Sequence, residues 1–214
     1  MKIKISKSEL LYEKIKITLL AGLYPPGVRI DPAMLADEFN TSPTPVRFAL
    51  YRLVGEGLIE DCAREGFHTP RITEISLRQL YDWMECLLLL ACEAQHGQHP
   101  TQSNTTKFHD MSDDIVSLTS YVFDTIALGT QNPCLYAAIR HTNDKLSPIR
   151  RMGIGLLEHT TEELQMMLEH WQQRDKKTLK SAVIKYHERR REIVPIIVAT
   201  ANQLPFPFKN SSSY

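Results

Sequence analysis

The side chains with the widest chemical reach in this 214-residue chain are its four cysteines and eight histidines, and their spacing withholds most of that chemistry. Cys62, Cys86, Cys92 and Cys134 form no C-x-x-C pair, and Cys86 and Cys92 fall in an apolar helical stretch where thiols behave as small hydrophobes. No two histidines stand at the i, i+4 spacing of a helical metal site, and no H-E-x-x-H, phosphate loop or nucleophile–base pair is present. These patterns argue against an enzyme. Arg47 and Arg52 offer different chemistry, because a guanidinium fork can bridge the O6 and N7 of a guanine or grip a phosphate. Taken without context, both belong to an ordinary solvated helix face.

The context is "NTSPTPVRFALYRLVGEGLIE", residues 40 to 60, which begins with a proline pair and ends in Gly-Glu-Gly. Ser42 suits an N-cap, and Pro43 and Pro45 then fall at the first and third helical positions, where backbone N–H groups lack an intrahelical acceptor. The prolines therefore begin a helix rather than break one. Val46, Ala49, Leu50, Leu53 and Val54 lie at offsets of 0, 3, 4, 7 and 8 and make one apolar stripe, with Arg47, Phe48, Tyr51 and Arg52 off it. Upstream, Leu11, Ile15 and Leu19 predict a helix over 7–21 that Pro25 and Pro26 stop, and Asp31-Pro32 opens a short one over 32–39. After Gly55 and Gly57, residues 58–62 and 67–72 read as two strands turning at 64–66. Three short helices and a hairpin make a winged helix-turn-helix.

Beyond residue 73 the strand signals cease. "TEISLRQLYDWMECLLLLACEAQ" opens on Thr or Ser caps and is apolar on nearly every side, as a helix buried in a bundle is. A polar loop follows over 96–107, then helices near 108–129, 133–146, 155–173 and 175–202, and the frayed tail "FKNSSSY". The expected fold is mainly α: a winged helix-turn-helix over 1–73, an all-helical bundle over 74–205 and a flexible tail over 206–214.

Lys plus Arg and Asp plus Glu balance at 25 each, so no broad field advertises nucleic acid or membrane. Residues 1–73 hold ten basic against nine acidic side chains, a net of +1, so binding to a polyanion there must rest on placed contacts. No stretch reaches the roughly 18 apolar residues of a membrane span, and no signal peptide is visible. A cytoplasmic protein is expected, without a membrane partner.

The run "GLYPPGVRIDPAMLADEFNTSPTPVRFALYRLVGEGLIEDCAREGF" resembles the DNA-binding domain of the GntR family of bacterial transcription regulators. Pro26-Gly27, Leu35-Ala36, Ser42, Thr44 to Arg47, Ala49-Leu50, Leu53, Gly57-Leu58 and Gly66 match its pattern in order. The resemblance implies a homodimer on palindromic, double-stranded operator DNA, with a small-molecule effector controlling affinity. It points to Ser42, Thr44, Arg47, Arg52, Arg64 and Gly66 as the DNA-binding set, Arg64 and Gly66 at the tip of the wing. Pro43 stands where relatives carry Arg, so a base contact is expected to be missing. Phe48 stands where they carry Glu; it either packs under another helix, the preferred expectation, or touches a thymine methyl.

The helical remainder is similar to the FCD effector domain of one GntR subfamily, through "LRQLYDWMECLLLLACEA" and the turn "GTQNPCL". Many such domains hold a metal through one Asp and three His. Placed on Asn132 and Asp175, those positions carry Thr119, Phe123, Leu164 and Tyr186, so the resemblance implies a lost metal site and no cofactor; His141 and His159 are the side chains that could be recruited instead. Two further cavity positions carry Met84 and Leu88. The expected ligand-binding set is Met84, Leu88, Phe123, Arg140, Leu164, Tyr186 and His187, with Arg140, Arg151 and His187 available to a carboxylate. An apolar lining suits an aromatic or hydrophobic acid. The alternative is that these side chains fill a tight core with no pocket.

The expected function is a ligand-responsive transcription regulator, most simply a repressor. An effector-free DNA-binding dimer and an all-α metal-dependent enzyme with a winged domain are the alternatives.

Overall fold

The computed structural model describes residues 6–94 and 114–203. The expected loop over 96–107, the first residues of the expected helix over 108–129 and the tail over 206–214 lie outside them. The described chain forms two compact units, one of residues 6–72 with 198–203 and one of Thr73–Ile197.

The first unit starts with α1 (Lys7–Leu20), whose first turn is capped when the Ser6 hydroxyl accepts from Glu9 N. The Pro25-Pro26-Gly27 turn leads to a two-residue strand β1 (Arg29–Ile30), an element absent from the expected order. Asp31 then caps α2 (Pro32–Glu38) by accepting from Ala33 N, and Pro32 takes the first helical position. Helix α3 (Pro43–Gly55) begins at the proline pair; Ser42 occupies the N-cap position but its side chain makes no capping bond. The strands β2 (Glu60–Cys62) and β3 (Gly66–His68) are shorter than expected, and the antiparallel sheet runs in the order β1-β3-β2. Ile30 lies opposite Phe67, and Asp61 opposite Phe67 from the other side.

The core of this unit is the stripe the sequence draws. Val46, Leu50 and Leu53 are wholly buried, against Leu11, Ile15 and Leu19 of α1, Leu35 of α2 and Ile59 and Phe67 of the wing. Thr69 fixes the sheet to the turn before it: its hydroxyl accepts from Val28 N and donates to Pro25 O, while its carbonyl accepts from Gly27 N.

The second unit is helical throughout its described residues. Helix α4 (Glu74–Glu93) opens on a capping box between Thr73 and Ser76. It is followed by α5 (Ile115–Leu128), α6 (Pro133–Met152), α7 (Thr160–Gln172), α8 (Lys176–Glu192) and the start of α9 (Val194–Gln203), whose residues from Val198 on belong to the first unit. Helix α4 packs on α5, α6 and α8, while α5 packs on α6 and α7, and α7 on α8. Two boundaries depart from the expectation. Helix α6 runs through Pro148 to Met152 instead of stopping at 146, and the single helix expected over 175–202 is split at Ile193. Pro195 accounts for the split, because its ring excludes the carbonyl of Arg191 from the helical ladder. That carbonyl accepts from Arg78 Nη1 at 3.0 Å instead.

Candidate functional site

A helix that reads a duplex must keep one face for its own core and hold the other out. Val46, Ala49, Leu50 and Leu53 turn α3 inward, which leaves Thr44, Arg47, Phe48 and Tyr51 at offsets of 0, 3, 4 and 7 as a single exposed row. Phe48 is 68% exposed, so the expectation that it packs beneath another helix is corrected: its position opposite Leu50 and Leu53 gives it no core to enter. Tyr51 leans its ring edge on Phe67 of β3, centroids 5.1 Å apart at 74°, and so couples the row to the wing.

Arg64 stands exposed at the wing tip with φ 69°, and Gly66 follows with φ +84°, a left-handed pair that folds the tight β2–β3 turn. Glu65 N donates to Cys62 O at 3.0 Å across it. Ser42, Thr44 and Arg47 at the start of α3 are all exposed.

Arg52 is placed differently from the expectation. Its Nη1 donates to Glu9 Oε2 at 2.7 Å and its guanidinium carbon lies 3.6 Å from the centroid of the Tyr12 ring. Tyr12 and Lys16 in turn donate to Glu56, at 2.5 and 2.9 Å. Burial pulls the Glu56 carboxyl up, but the bonds from Tyr12 and Lys16 outweigh it and leave the group below its ordinary range. Arg52 thus belongs to a clamp between α1 and α3 that fixes the angle of the exposed row.

In the helical unit, Met84, Leu88, Phe123 and Leu164 are completely buried, and none of them lines the cleft beside Arg150. The Phe123 ring meets Tyr186 edge-on at 5.3 Å and stacks on His187 at 6.1 Å. His187 Nδ1 donates to Val183 O at 2.8 Å, and its buried Nε2 has no hydrogen-bond partner among the described residues. Burial drives its pKa down to about 3, with the nearby Arg150, Arg190 and Arg191 adding to the shift, so the ring is neutral. Arg140 is corrected to the surface, where it faces Asp124 at 3.9 Å, and Arg151 faces Asp114 at 3.3 Å.

A cleft of about 100 Å³ lies beside this core, lined among others by Tyr81, Ile115, Thr119, Arg150, Tyr186 and Ile197. Of the expected ligand set, Tyr186 alone reaches it. Arg150 was missed by the sequence reading. Its Nη1 donates to Asn143 Oδ1 at 2.9 Å and its guanidinium lies 5.3 Å from the Phe123 ring, but Nε and Nη2 are buried with no acceptor among the described residues. Arg190, also on the cleft, is neutralised by Glu163 at 2.5 Å and stacked 3.4 Å over Tyr186. Among the described residues no group of three or more His, Cys, Asp or Glu could hold a metal ion. Thr119, at one expected metal position, spends its hydroxyl on Ile115 O at 2.7 Å.

Residues 7–68 match the family described as bacterial regulatory proteins, gntR family. The winged domain is thus similar to the DNA-binding domains of that family. The chain is also similar to the uncharacterized HTH-type transcriptional regulator YdhC of Bacillus subtilis (strain 168), 31% identical over 70 residues, covering 33% of this chain and 31% of that protein. The matched stretch spans about a third of the relative's length. In solved structures, E. coli McbR/YncC superposes with a TM-score of 0.69 at 18% identity, covering 90% of this chain and 99% of that one. A protein of Rhodococcus sp. RHA1 with the GntR designation gives 0.73 at 11% identity, covering 88% and 97%. At such identities the likeness shows the fold: a winged helix-turn-helix followed by a helical domain.

Proposed function

We propose that this chain is a cytoplasmic transcription regulator of the GntR type, a homodimer that represses by occupying a palindromic operator and is controlled by a small acid. The observation that carries the DNA-binding part is the exposed row Thr44, Arg47, Phe48 and Tyr51 on a proline-led helix, with Arg64 at the adjacent wing tip. Such a helix enters the major groove, about 12 Å wide, by its N-terminal turns, while a wing tip meets the backbone. A gel shift with the promoter beside the chain's own gene tests it; retention of that duplex over an unrelated one is expected, and equal retention of both removes the reading.

Pairing of two chains is supported by α4. Ile75, Trp83 and Leu90 are 72%, 53% and 56% exposed and, with Cys86, fall within one arc of the helix. An apolar row of this kind is costly to leave in water and suits a second copy. Two paired domains would meet half-sites about one helical turn, ~34 Å, apart.

Control by an acid is supported by Arg150, whose buried, unpartnered N–H groups border a cleft with Ile115 and Ile197 on its walls. A carboxylate there would supply the missing acceptors, with the apolar part of the ligand on the isoleucines and no metal required. A thermal-shift screen of aromatic and acyl acids tests it, since a ligand at a hundred times its Kd stabilises the fold by about 2.7 kcal/mol. The shift is expected in the wild type and not in Arg150→Ala; equal shifts would move the ligand elsewhere. The complete burial of Met84, Leu88, Phe123 and Leu164 favours a second reading, in which the helical domain only dimerises. A screen with no hit would select it.

A further inference from the structure

A large apolar ring held out in water beside Arg47 calls for a reason. Phe48 is 68% exposed on the second turn of α3, one residue from Arg47 and four from Thr44 on the same face. Tyr51, the other aromatic side chain of that face, is engaged with Phe67. Phe48 therefore lies where a helix entering a groove points at base edges, and it has neither charge nor donor to spend on a phosphate.

The apolar feature that a major groove presents is the 5-methyl group of thymine. We infer that Phe48 is a specificity-determining residue that packs on a thymine methyl next to the base Arg47 addresses. This rests on the DNA-binding reading above and adds a base identity to it: each half-site carries a thymine that is read by its methyl and not by a hydrogen bond. The arrangement also fits the nearly neutral winged domain, ten basic against nine acidic side chains over residues 1–73, where discrimination cannot lean on bulk charge. A single exposed aromatic residue on a protein surface is by itself unremarkable; the row it shares with Thr44 and Arg47 is what assigns it.

The test starts from random duplexes put through rounds of selection with the full-length protein. The enriched duplex is resynthesised with deoxyuridine in place of thymine, one position at a time, which deletes only the methyl. Wild-type protein is expected to lose about three- to fivefold in affinity at one position per half-site, the worth of one buried methyl. Phe48→Ala is expected to bind the parent duplex about tenfold more weakly and to be indifferent to deoxyuridine at that same position. Its melting should match the wild type, since the ring is outside the core. A wild type insensitive to every deoxyuridine, or a Phe48→Ala variant with the same loss at the same position, overturns the inference and leaves the regulator reading standing. A variant whose oligomeric state changes while its deoxyuridine profile does not would put the ring in a protein contact and overturn it equally. Failure to enrich any duplex removes both.

Discussion

Acidification should unfold the helical unit through His187, and the size of the effect follows from its burial. The imidazole is completely buried, with a pKa of about 3 where an unfolded chain has about 6.5. Between these values the unfolded chain binds a proton that the folded unit refuses, so stability is complete above pH 6.5 and falls as pH drops toward 3. From pH 7 to 4.5 the loss from this group is about 2.5 kcal/mol, at about 1.36 kcal/mol per unit of pH across the window. Replacing the ring with a side chain that cannot titrate removes the penalty; His187→Leu is of similar volume and keeps the site apolar. Both tryptophans, Trp83 and Trp171, lie in the helical unit, so urea unfolding followed by their fluorescence reports on that unit alone. Measured at pH 7 and 4.5, the wild type should lose about 2.5 kcal/mol more than His187→Leu. Parallel losses in the two proteins would mean that His187 is hydrated or paired, and the reasoning about its environment would fail.

Thr69→Val keeps shape but strips the hydroxyl that bridges Val28 N and Pro25 O, leaving the buried Val28 N–H only its longer bond to Pro25 O at 3.3 Å. A cost of about 1–3 kcal/mol to the winged unit is expected, read as a lower melting temperature of the isolated far-ultraviolet transition of that unit. Phe123→His should not create stoichiometric zinc binding: Tyr186 and Thr119 beside it are poor ligands, and the neighbouring His187 would bring the set to only two imidazoles, short of the three or four protein ligands of a zinc site. Metal analysis after dialysis checks this, and one zinc per chain in the wild type would contradict the proposed loss of the metal site.

How much of this was legible in the sequence depends on how local each cause is. The stripe from Val46 to Leu53 and the Ser42-Pro43 start are set within a few turns of chain, and α3 begins and buries its face as they dictate. Strand β1 was invisible because two residues carry no periodicity; it exists through its pairing with β3 and the bonds from Thr69, some forty residues away. The expected helix ended at 146, but Leu146 and Ile149 on either side of Pro148 are buried, and their packing carries α6 onward to Met152. The cleft failed for the opposite reason to the helix starts. Met84, Leu88, Phe123 and Leu164, aligned to face a cavity, are completely buried, and the cleft is lined instead by Arg150, Tyr81 and Tyr186 from three helices. Nothing in the spacing of an arginine late in α6 signals that its donors will be left without acceptors.

The central claim is that the outward row of α3 reads duplex DNA. Its most direct test is the affinity of the full-length protein for its selected duplex and for a scrambled one, with and without Arg47. Wild-type protein is expected to prefer the selected duplex by a factor on the order of 10³ or more, and Arg47→Ala to give up about 1–3 kcal/mol of that preference while remaining a dimer. Equal affinity for both duplexes, unchanged by Arg47→Ala, would contradict it.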